Sequence, residues 1–328
     1  MGKDYDPIAP WFAAAEALGE FIGIRFGRIA PGKSEPEWIY FRHAEFDGIG
    51  GFAEILRSRN ANPGPLAQIK HPVEPSLIPL LKMLPKFMMP HQRVKWKPLA
   101  GSRITSTATQ PPPAAAWHVF DESTTAQIRA AGKKAGVTVN TFLLQHLTTA
   151  IRPDLADPSA AVPWMLPVNL RGKVVRDRDT ANYSTYISVK VRPGKPMSAL
   201  HQDIYASLDR GDHWANWRAY ELGKFATHGT KKFLLAHELA TSQWNLGGFS
   251  NLGEWDSKKE ITRPDCLGNW LFSPPVLRFQ SVGAGCVTFQ NRLSLLIQTH
   301  PELTTDPAVP KAWIQNWVAE INRDLSAL

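Results

Sequence analysis

A short segment of the sequence combines residue types suited to acid–base chemistry. Residues 41–51 read FRHAEFDGIGG, which places His43 and Asp47 four positions apart and sets three glycines after the aspartate. An imidazole, whose pKa lies near neutrality, is the most common general base in proteins. The glycines allow a tight turn and a close approach of the backbone to a ligand. Because a histidine among apolar residues more often has only a packing role, the surrounding elements must decide between the two interpretations.

This segment lies where a predicted strand gives way to a predicted helix. Apolar residues alternate over 22–26, the turn-forming run PGKSEP follows, and residues 38–41 are aromatic or β-branched, which predicts a hairpin that leads directly into His43. Residues 52–57 have helical spacing after the glycines. A short helix is also predicted over 13–21.

The rest of the chain alternates between strand and helix patterns. The elements predicted are a strand ending at Phe120, a helix over 124–134, a buried helix beginning at Asn140 or Thr141, strands over 162–171 and 181–191, mostly helix over 198–240, a strand pair formed by 275–285 and 286–303, and a helix over 310–328. Strands mixed with helices in both halves predict an α/β or α+β architecture in two layers.

Residues 58–116 are rich in proline and separate the two halves of the chain. One interpretation is a long crossover on the surface. The other is a lid or mouth for an apolar substrate, because several adaptable apolar side chains lie together. These side chains are Leu80, Leu81, Met83, Leu84, Phe87, Met88 and Met89. We therefore expect an N-terminal subdomain over 1–110 and a C-terminal subdomain over 117–328.

The composition is that of an ordinary globular protein, with 328 residues, 43% hydrophobic and 20% charged. The two cysteines, Cys266 and Cys286, fit neither a disulfide framework nor a metal site, and they favour a reducing compartment. No run approaches the ~20 apolar residues of a membrane span, so we expect no transmembrane segment and a cytoplasmic protein. The net charge of +8 is scattered and accompanies no nucleic-acid motif. An anionic thioester or an acidic carrier protein is therefore a better expected partner than a nucleic acid.

Five matches, in order along the chain, give the sequence a resemblance to a known superfamily. Residues 43–48 match HxxxDG, and four others follow: a helix pair ending in VTVNTFLL (131–144), PVNLR (167–171), an Asn-led strand (182–191) and SNLG (250–253). In these motifs the sequence resembles the chloramphenicol acetyltransferase-like superfamily of coenzyme A-dependent acyltransferases. That superfamily includes peptide condensation domains, HxxxDG alcohol acyltransferases and wax ester synthase-like proteins. The resemblance covers nearly everything from residue 22 onward.

The resemblance implies a fold and an activity. The fold would be two chloramphenicol acetyltransferase-like subdomains, each with a mixed sheet and helices, with an active-site channel between them. The activity would be that of an acyltransferase, acting on groups other than aminoacyl. The acyl group would pass from a coenzyme A or carrier-protein thioester to a hydroxyl or amine of a small-molecule acceptor. The thioester would be a co-substrate, with no permanently bound cofactor and no metal.

The resemblance also implies roles for individual residues. His43 would be the general base. Asp47 and Gly48 would support the architecture of the site, and Asp47 would pair with Arg171. The oxyanion of the tetrahedral intermediate needs a donor. The candidates for it, or for substrate contacts, are backbone N–H groups near Gly48 and the side chains of Asn169, Ser250 and Asn251.

Two departures from the superfamily pattern leave alternatives open. Condensation domains usually have a second histidine where this chain has Arg42, and a longer segment usually precedes the motif than the 42 residues before His43. Part of the substrate wall is therefore expected to come from elsewhere, for instance from a second subunit of a homo-oligomer. A second hypothesis is a catalytically inactive, condensation-like binding or scaffold protein, which a filled channel or an Arg42 side chain folded across the imidazole would favour. A third is a related enzyme using His43 for another condensation or for hydrolysis.

Overall fold

The structure is a computed structural model that describes residues 6–69, 73–82, 99, 113–241, 246–255, 266–278 and 280–327. Its helices in this part of the chain are α1 (Ala9–Glu16), α2 (Gly48–Ser58), α3 (Glu122–Lys134), α4 (Val139–Leu155), α5 (Met197–Asp209), α6 (Asp212–Leu222), a 3₁₀ turn (Gly223–Phe225), α7 (His228–Thr241) and α8 (Ala308–Ser326). Its strands are β1 (Gly23–Ile29), β2 (Glu37–Arg42), β3 (Ala114–Val119), β4 (Val162–Asn169), β5 (Ser184–Val191), β6 (Gly247–Trp255), β7 (Asn269–Ser273), β8 (Val282–Phe289) and β9 (Arg292–Thr299).

Two sheets form the framework, which confirms the predicted mixed α/β class. The smaller is antiparallel with strand order β2-β1-β7, and the larger has the order β3-β9-β8-β6-β4-β5. Within the larger sheet, β6 runs parallel to both β4 and β8. The sequence pattern does not predict β7, a five-residue strand whose Ser273 lies opposite Arg25 of β1. This strand joins the C-terminal part of the chain to the N-terminal hairpin, while the proposed boundary between residues 110 and 117 stays a prediction.

Close packing of the two sheets explains the glycines of β8. A Cβ atom on Gly285 would lie 1.9 Å from the carbonyl oxygen of Phe272, and one on Gly283 would lie 2.7 Å from that of Pro274. Real Cβ atoms do not approach oxygens so closely, so a side chain at either position would push the small sheet away from the large one. The glycines therefore lie inside a strand and do not mark its end.

The sequence pattern predicted a strand pair over 275–285 and 286–303, with the turn between them at the glycines. The position of that turn is wrong, because the glycines lie inside β8. The strands are β8 and β9, and the hairpin turn is formed by Gln290 and Asn291, with φ of 50° and 61°. Two residues of positive φ match the right-handed twist of the flanking strands. Asn favours this conformation, and the pair is a turn signal that the glycines of β8 obscured.

The first helix is also shifted from its predicted position. Residues 13–21 were expected to be helical, whereas α1 covers Ala9–Glu16. The Asp6 carboxylate accepts hydrogen bonds from the amides of Ile8 and Ala9, at 2.8 and 3.1 Å, and so satisfies the orphan donors at the helix start. Pro10 is tolerated in the first turn, where its missing N–H costs nothing. Gly19, with φ of 86°, turns the chain after the helix.

The two largest apolar clusters in the described part of the chain hold the sheets and helices together. The larger one lies between the six-stranded sheet and the helices on its outer face, where Trp164, Trp313 and Trp317 are fully buried. The indole N–H of Trp164 is satisfied by the Thr148 hydroxyl at 2.9 Å. The second cluster, centred on Phe52, fills the space between α2 and the sheets. In the described part of the chain, no helix combines the length and the apolarity that a membrane-spanning helix needs.

The crossover between α2 and β3 is described only in part. Leu80 is 4% exposed and packs inward, while Leu81 is 62% exposed. The rest of the predicted apolar lid, from Met83 to Met89, lies outside the described residues, so that hypothesis stays a prediction.

Candidate active site

His43 lies in a tight turn between β2 and α2, as the sequence pattern predicts. Its amide donates to the Ile22 carbonyl at 3.0 Å, which extends the hairpin pairing by one residue. The chain then turns, because the amides of Glu45 and Phe46 both donate to the Arg42 carbonyl. The turn delivers the chain to Asp47, the N-cap of α2.

The hydrogen bonds of the imidazole define its tautomer. Nδ1 lies 2.9 Å from the Phe46 carbonyl oxygen, which can only accept, so Nδ1 carries the proton. Nε2 is then left with a free lone pair, as a general base requires. The Asn182 amide nitrogen is 3.4 Å from Nδ1 but only 2.6 Å from the His43 carbonyl oxygen, so it holds the main chain of the turn.

Burial favours the neutral form of this histidine. The side chain is half-buried, and desolvation lowers the pKa of His43 below its ordinary 6.5. The Phe46 carbonyl and the negative charge of Asp47 oppose this shift and do not cancel it. The imidazole is therefore neutral, with Nε2 unprotonated, at neutral pH.

Asp47 does not reach the His43 ring but binds Arg171, the pairing that the resemblance implied. The guanidinium donates two hydrogen bonds to the carboxylate, at 2.7 and 2.9 Å, and both side chains are almost completely buried. The same carboxylate accepts from the amides of Gly50 and Tyr183, at 2.7 and 2.8 Å. The remaining guanidinium protons are donated to carbonyls at Asp179 and Ala181 and to the Asn169 side chain.

This network joins the two halves of the site. Asp47 begins α2, whereas Arg171 follows β4 and Tyr183 precedes β5. A buried ion pair is favourable only when its other hydrogen-bonding groups are also satisfied, and here they are. The pair therefore fixes the position of the His43 turn against the six-stranded sheet.

Gly50 is required by this close approach, and we predict that Gly50→Ala destabilises the protein. A Cβ atom there would lie 2.0 Å from the carbonyl oxygen of Thr180, a backbone atom that cannot move away alone. We expect the free energy of unfolding to fall by about 1–3 kcal/mol, measured by denaturant unfolding.

Gly229 offers a matched control in a different helix. It lies in α7, where an added Cβ would meet only the Thr227 hydroxyl, at 3.8 Å. Because glycine is a poor helix former, Gly229→Ala should leave stability unchanged or raise it by up to about 1 kcal/mol. Equal effects of the two substitutions would contradict the steric explanation at Gly50.

The N-terminal helix covers one side of the imidazole. The ring of Phe12 in α1 stacks on that of His43, with centroids 5.2 Å apart and an interplanar angle of 29°. Phe12 also packs with two apolar clusters, one containing Trp214 and the other Ile22 and Leu277. Part of the wall at His43 is therefore supplied by this chain's own helix.

Arg42 does not fold across the imidazole. Its guanidinium is largely exposed and pairs with Glu16 of α1 at 2.8 Å and with Glu45 at 3.4 Å. The ion pair with Glu16 ties α1 to the residue before His43. The arrangement of Arg42 that would have favoured an inactive scaffold is therefore not observed.

The predicted oxyanion contacts differ in their freedom to bind a substrate. The amide group of Asn169 donates to the Ala67 carbonyl at 2.6 Å, and that of Asn251 donates to the Asn140 side chain at 2.7 Å. Ser250 is buried in β6, and we find no hydrogen-bond partner for its hydroxyl among the described residues. Of these three side chains, the two asparagines are therefore already engaged, and Ser250 is left as the candidate donor.

The start of α2 offers two further donors. Gly48 and Ile49 are the first two residues of the helix, so their amides have no acceptor within it. A Cβ on Gly48 would lie 2.6 Å from the Leu252 side chain and 2.9 Å from the Phe272 ring, so Gly48 is also needed for packing. The Asp47 carboxylate accepts from the amide of Gly50, so the amides of Gly48 and Ile49 are not capped by it.

A cavity of about 420 Å³ lies elsewhere, between β3 and α8. Its lining includes Trp117, His118 and Lys311 but none of the residues around His43. The active-site channel between the subdomains therefore stays a prediction.

Sequence reasoning missed two residues of the site. Asn182 was recognised only as the start of a strand, and its bond to the turn becomes visible only when the loop before β5 lies beside residue 46. Phe12 carried no signal beyond its place in a helical segment. Both contacts join residues distant in sequence, so local patterns could not reveal them.

Comparisons with known proteins support the same fold. No family model and no curated protein sequence matches the chain. Among solved structures, the trichothecene 15-O-acetyltransferase TRI3 of Fusarium sporotrichioides is 14% identical, with a TM-score of 0.58 over 89% of this chain and 67% of that one. The cyclization–docking bidomain of EpoB from Sorangium cellulosum is 10% identical, with a TM-score of 0.59 over 88% of this chain and 59% of that one.

A third similar structure is the nonribosomal peptide synthetase FmoA3, 15% identical with a TM-score of 0.51. That match covers 76% of this chain but only 26% of the synthetase chain, so this protein spans about a quarter of its length. Identities this low show the fold alone. The protein therefore has the chloramphenicol acetyltransferase-like fold that condensation domains also share, and the resemblance drawn from HxxxDG and PVNLR is confirmed at the level of fold.

Proposed function

We propose that the protein transfers an acyl group from a thioester to a hydroxyl or amine, with Nε2 of His43 as general base. The observation that carries this proposal is the bond from Nδ1–H of His43 to the Phe46 carbonyl, which leaves Nε2 unprotonated. The turn is held in place by the buried pair of Asp47 and Arg171. The fold neighbours include an acetyltransferase and condensation domains, which is consistent with transfer chemistry.

The proposed reaction needs one proton acceptor and no covalent enzyme intermediate. Nε2 takes the proton of the acceptor O–H or N–H as the acceptor oxygen or nitrogen attacks the thioester carbonyl. The tetrahedral intermediate collapses with cleavage of the C–S bond, and the imidazolium returns the proton to the leaving thiolate. His43 thus ends the cycle in its starting form, and the resident groups of the site account for every proton.

The negative charge on the tetrahedral intermediate needs preorganised donors. We assign this role to the Ser250 hydroxyl and to the amides of Gly48 and Ile49, which have no acceptor within α2. The amides lie at a helix N-terminus, where the helix dipole also favours negative charge.

The donor is proposed to be a coenzyme A ester or an acylated carrier protein, and the acceptor a small molecule. The net charge of +8 suits a phosphorylated or acidic donor. A thermal-shift screen with acyl-coenzyme A esters and pantetheine-loaded carrier proteins would test binding, since a ligand of the folded state raises its apparent stability. A shift by one donor class is expected, and no shift by either class would contradict the proposal.

The pH dependence of kcat/KM should show the lowered pKa of His43. The base must be neutral, so activity should persist below pH 6.5 and fall only as the pH drops through the lowered pKa of His43. The folded state should lose stability as the pH falls from about 6.5 to the lowered pKa of His43, because over this range the unfolded chain binds the proton and the folded protein does not.

Phe12→Ala supplies a comparison for this profile. It removes the ring that covers one side of the imidazole, so desolvation should weaken and the pKa of His43 should rise towards 6.5. The acid limb of the variant should therefore lie at higher pH than that of the wild type. An acid limb of the wild type above pH 6.5 would contradict His43 as the buried base.

The inactive scaffold is the competing proposal, favoured by the contact of Phe12 with the imidazole. If Phe12 filled the channel permanently, thioesters would bind neither the wild type nor His43 variants. Thioester binding together with acceptor-dependent thiol release by the wild type would exclude the scaffold.

A further inference from the structure

The exposed apolar side chains of this protein are concentrated in two segments. In the described part of the chain, ten large apolar residues are exposed, and seven of them lie within 77–81 or 222–234. These seven are Leu77, Ile78, Leu81, Leu222, Phe225, Phe233 and Leu234. Single exposed apolar residues need no explanation, but clusters of this kind usually mark a contact surface.

Most of the 222–234 segment is exposed, and only a narrow side of it is buried. Phe225 is 77% and Phe233 71% exposed, whereas Lys231 is buried and donates its ammonium to the Ala226 carbonyl. Leu235, on the inner side of α7, packs with the cluster that contains Ile22. The inner face of the helix thus packs against α1, and its outer face is exposed.

Positive charge accompanies the apolar side chains. Residues 222–234 contain three lysines and no aspartate or glutamate. The exposed Lys224 places its ammonium 4.8 Å from the Phe225 ring, and Lys232 adjoins Phe233. Aromatic and leucine side chains bordered by lysines are the combination that binds the interface of an anionic bilayer.

The second segment lies at the other end of α6. Trp214 donates to the Val73 carbonyl at 3.0 Å, and a Cβ on Gly211 would lie 3.7 Å from the Pro79 ring. Residues 77–81 are therefore near the first turn of α6, whereas Leu222 ends this helix and residues 223–225 form the 3₁₀ turn after it. The eleven residues of α6 span about 16 Å between its two ends. Lys82 gives the second group a lysine border as well.

We propose that these two segments form a docking face for the surface of an anionic membrane. The apolar side chains of 77–81 and 222–234 insert among the headgroups, and Lys82, Lys224 and Lys232 contact anionic lipids. Because α7 packs on α1, and Phe12 of α1 stacks on His43, docking places two helices, α7 and α1, between the bilayer and the candidate active site. This docking does not depend on the proposed acyl transfer.

Co-sedimentation of the full chain with lipid vesicles tests the proposal. The probes are vesicles of phosphatidylcholine alone and of phosphatidylcholine mixed with phosphatidylglycerol. The wild type should sediment with the anionic vesicles, less with the neutral ones, and less with either at high salt, since salt screens the lysines. Phe225→Ser combined with Phe233→Ser should lower the partition coefficient by about tenfold or more, because two apolar anchors are lost.

Control variants test whether the loss of binding depends on the position of the substituted residues and not simply on the charge or apolar area removed. The double variant Lys224→Gln/Lys232→Gln should bind anionic vesicles more weakly and neutral vesicles as before. The control variant Lys133→Gln/Lys195→Gln removes the same charge elsewhere and should bind anionic vesicles as the wild type does. Val175→Ser removes a side chain that is 93% exposed outside the face and should bind as the wild type does. All these positions are exposed, so thermal unfolding should be unchanged.

Three results would overturn the proposal. These are the absence of vesicle binding by the wild type, equal binding by the Phe225/Phe233 double variant, and equal loss in the control variants. A protein partner is the remaining alternative for this face. Failure to bind vesicles, combined with self-association or carrier-protein binding that the Phe225/Phe233 variant abolishes, would assign the face to a protein.

Discussion

Replacing His43 by alanine should lower the rate of acyl transfer by about 10²–10⁴-fold, the usual contribution of a positioned general base. The imidazole keeps a free lone pair at Nε2, whereas the Asp47 carboxylate is occupied by Arg171 and by two backbone amides. Without Nε2, water would have to take the proton from the attacking acceptor. The measurement is kcat/KM for the best thioester and acceptor pair.

The fold should survive this substitution, because the imidazole is only half-buried and donates a single hydrogen bond. His43→Asn is a second variant, whose amide nitrogen lies where Nδ1 does and can keep the bond to the Phe46 carbonyl without providing a base. His228→Ala, at an exposed position in α7, is the matched control and should retain the full rate. A His43→Asn enzyme as fast as the wild type would assign the ring to packing.

Replacing Arg171 by methionine should destabilise the protein by about 3–5 kcal/mol, because it leaves the Asp47 carboxylate buried without a counter-charge. The substitution also removes bonds from the guanidinium to the Asp179 and Ala181 carbonyls. Asp47→Asn should have an effect of similar size by leaving the guanidinium unpaired. Denaturant unfolding measures the loss, and activity should fall with it although His43 is intact.

An exposed ion pair provides the control for this prediction. Arg192 and Asp203 are bonded at 2.5 Å but are about half exposed. Asp203→Asn should cost less than about 1 kcal/mol, since solvent screens the pair. The double variant of Asp47→Asn and Arg171→Met should lose less stability than the sum of the single losses, because neither charge is then left alone. Additive losses would show that the two side chains do not act as a pair.

Much of the fold was predictable because local patterns and packing agree in most elements. The helix pair α3 and α4 begins at Asp121 and Thr138, whose side chains cap the amides of Thr124 and Thr141. The hairpin of β1 and β2 likewise follows from alternating apolar residues around a turn-rich segment. In these elements the residues that predict a helix start or a hairpin turn lie within the element itself or directly beside it.

The errors arise where tertiary contacts override local signals. The glycines of β8 read as a strand end, but they are needed because the small sheet packs against them. β7 is a strand of five residues whose pairing with β1 depends on a partner more than 200 positions away. A short segment of this kind has no periodicity of its own from which to be predicted.

The candidate site was predictable only where its residues are close together in the sequence or match a known motif. His43, Asp47 and Gly48 lie within one short motif, and Arg171 was placed by resemblance. The stacking of Phe12 and the bond from Asn182 connect residues 31 and 139 positions from His43, and only the folded chain brings them together. The same contacts show that the amides of Asn169 and Asn251 are already engaged, which no spacing could indicate.

The most direct test of the central claim is a single-turnover measurement with enzyme in excess over an acyl thioester, in which free thiol and acylated product are followed together. For the wild type we expect thiol release only when the acceptor is present, in equal amounts with the acylated acceptor, and with no acyl group retained on the protein. His43→Ala should show neither product on the same timescale. Thiol release by wild type without acceptor, a covalent acyl-enzyme, or undiminished transfer by His43→Ala would contradict His43 as the base of a direct acyl transfer.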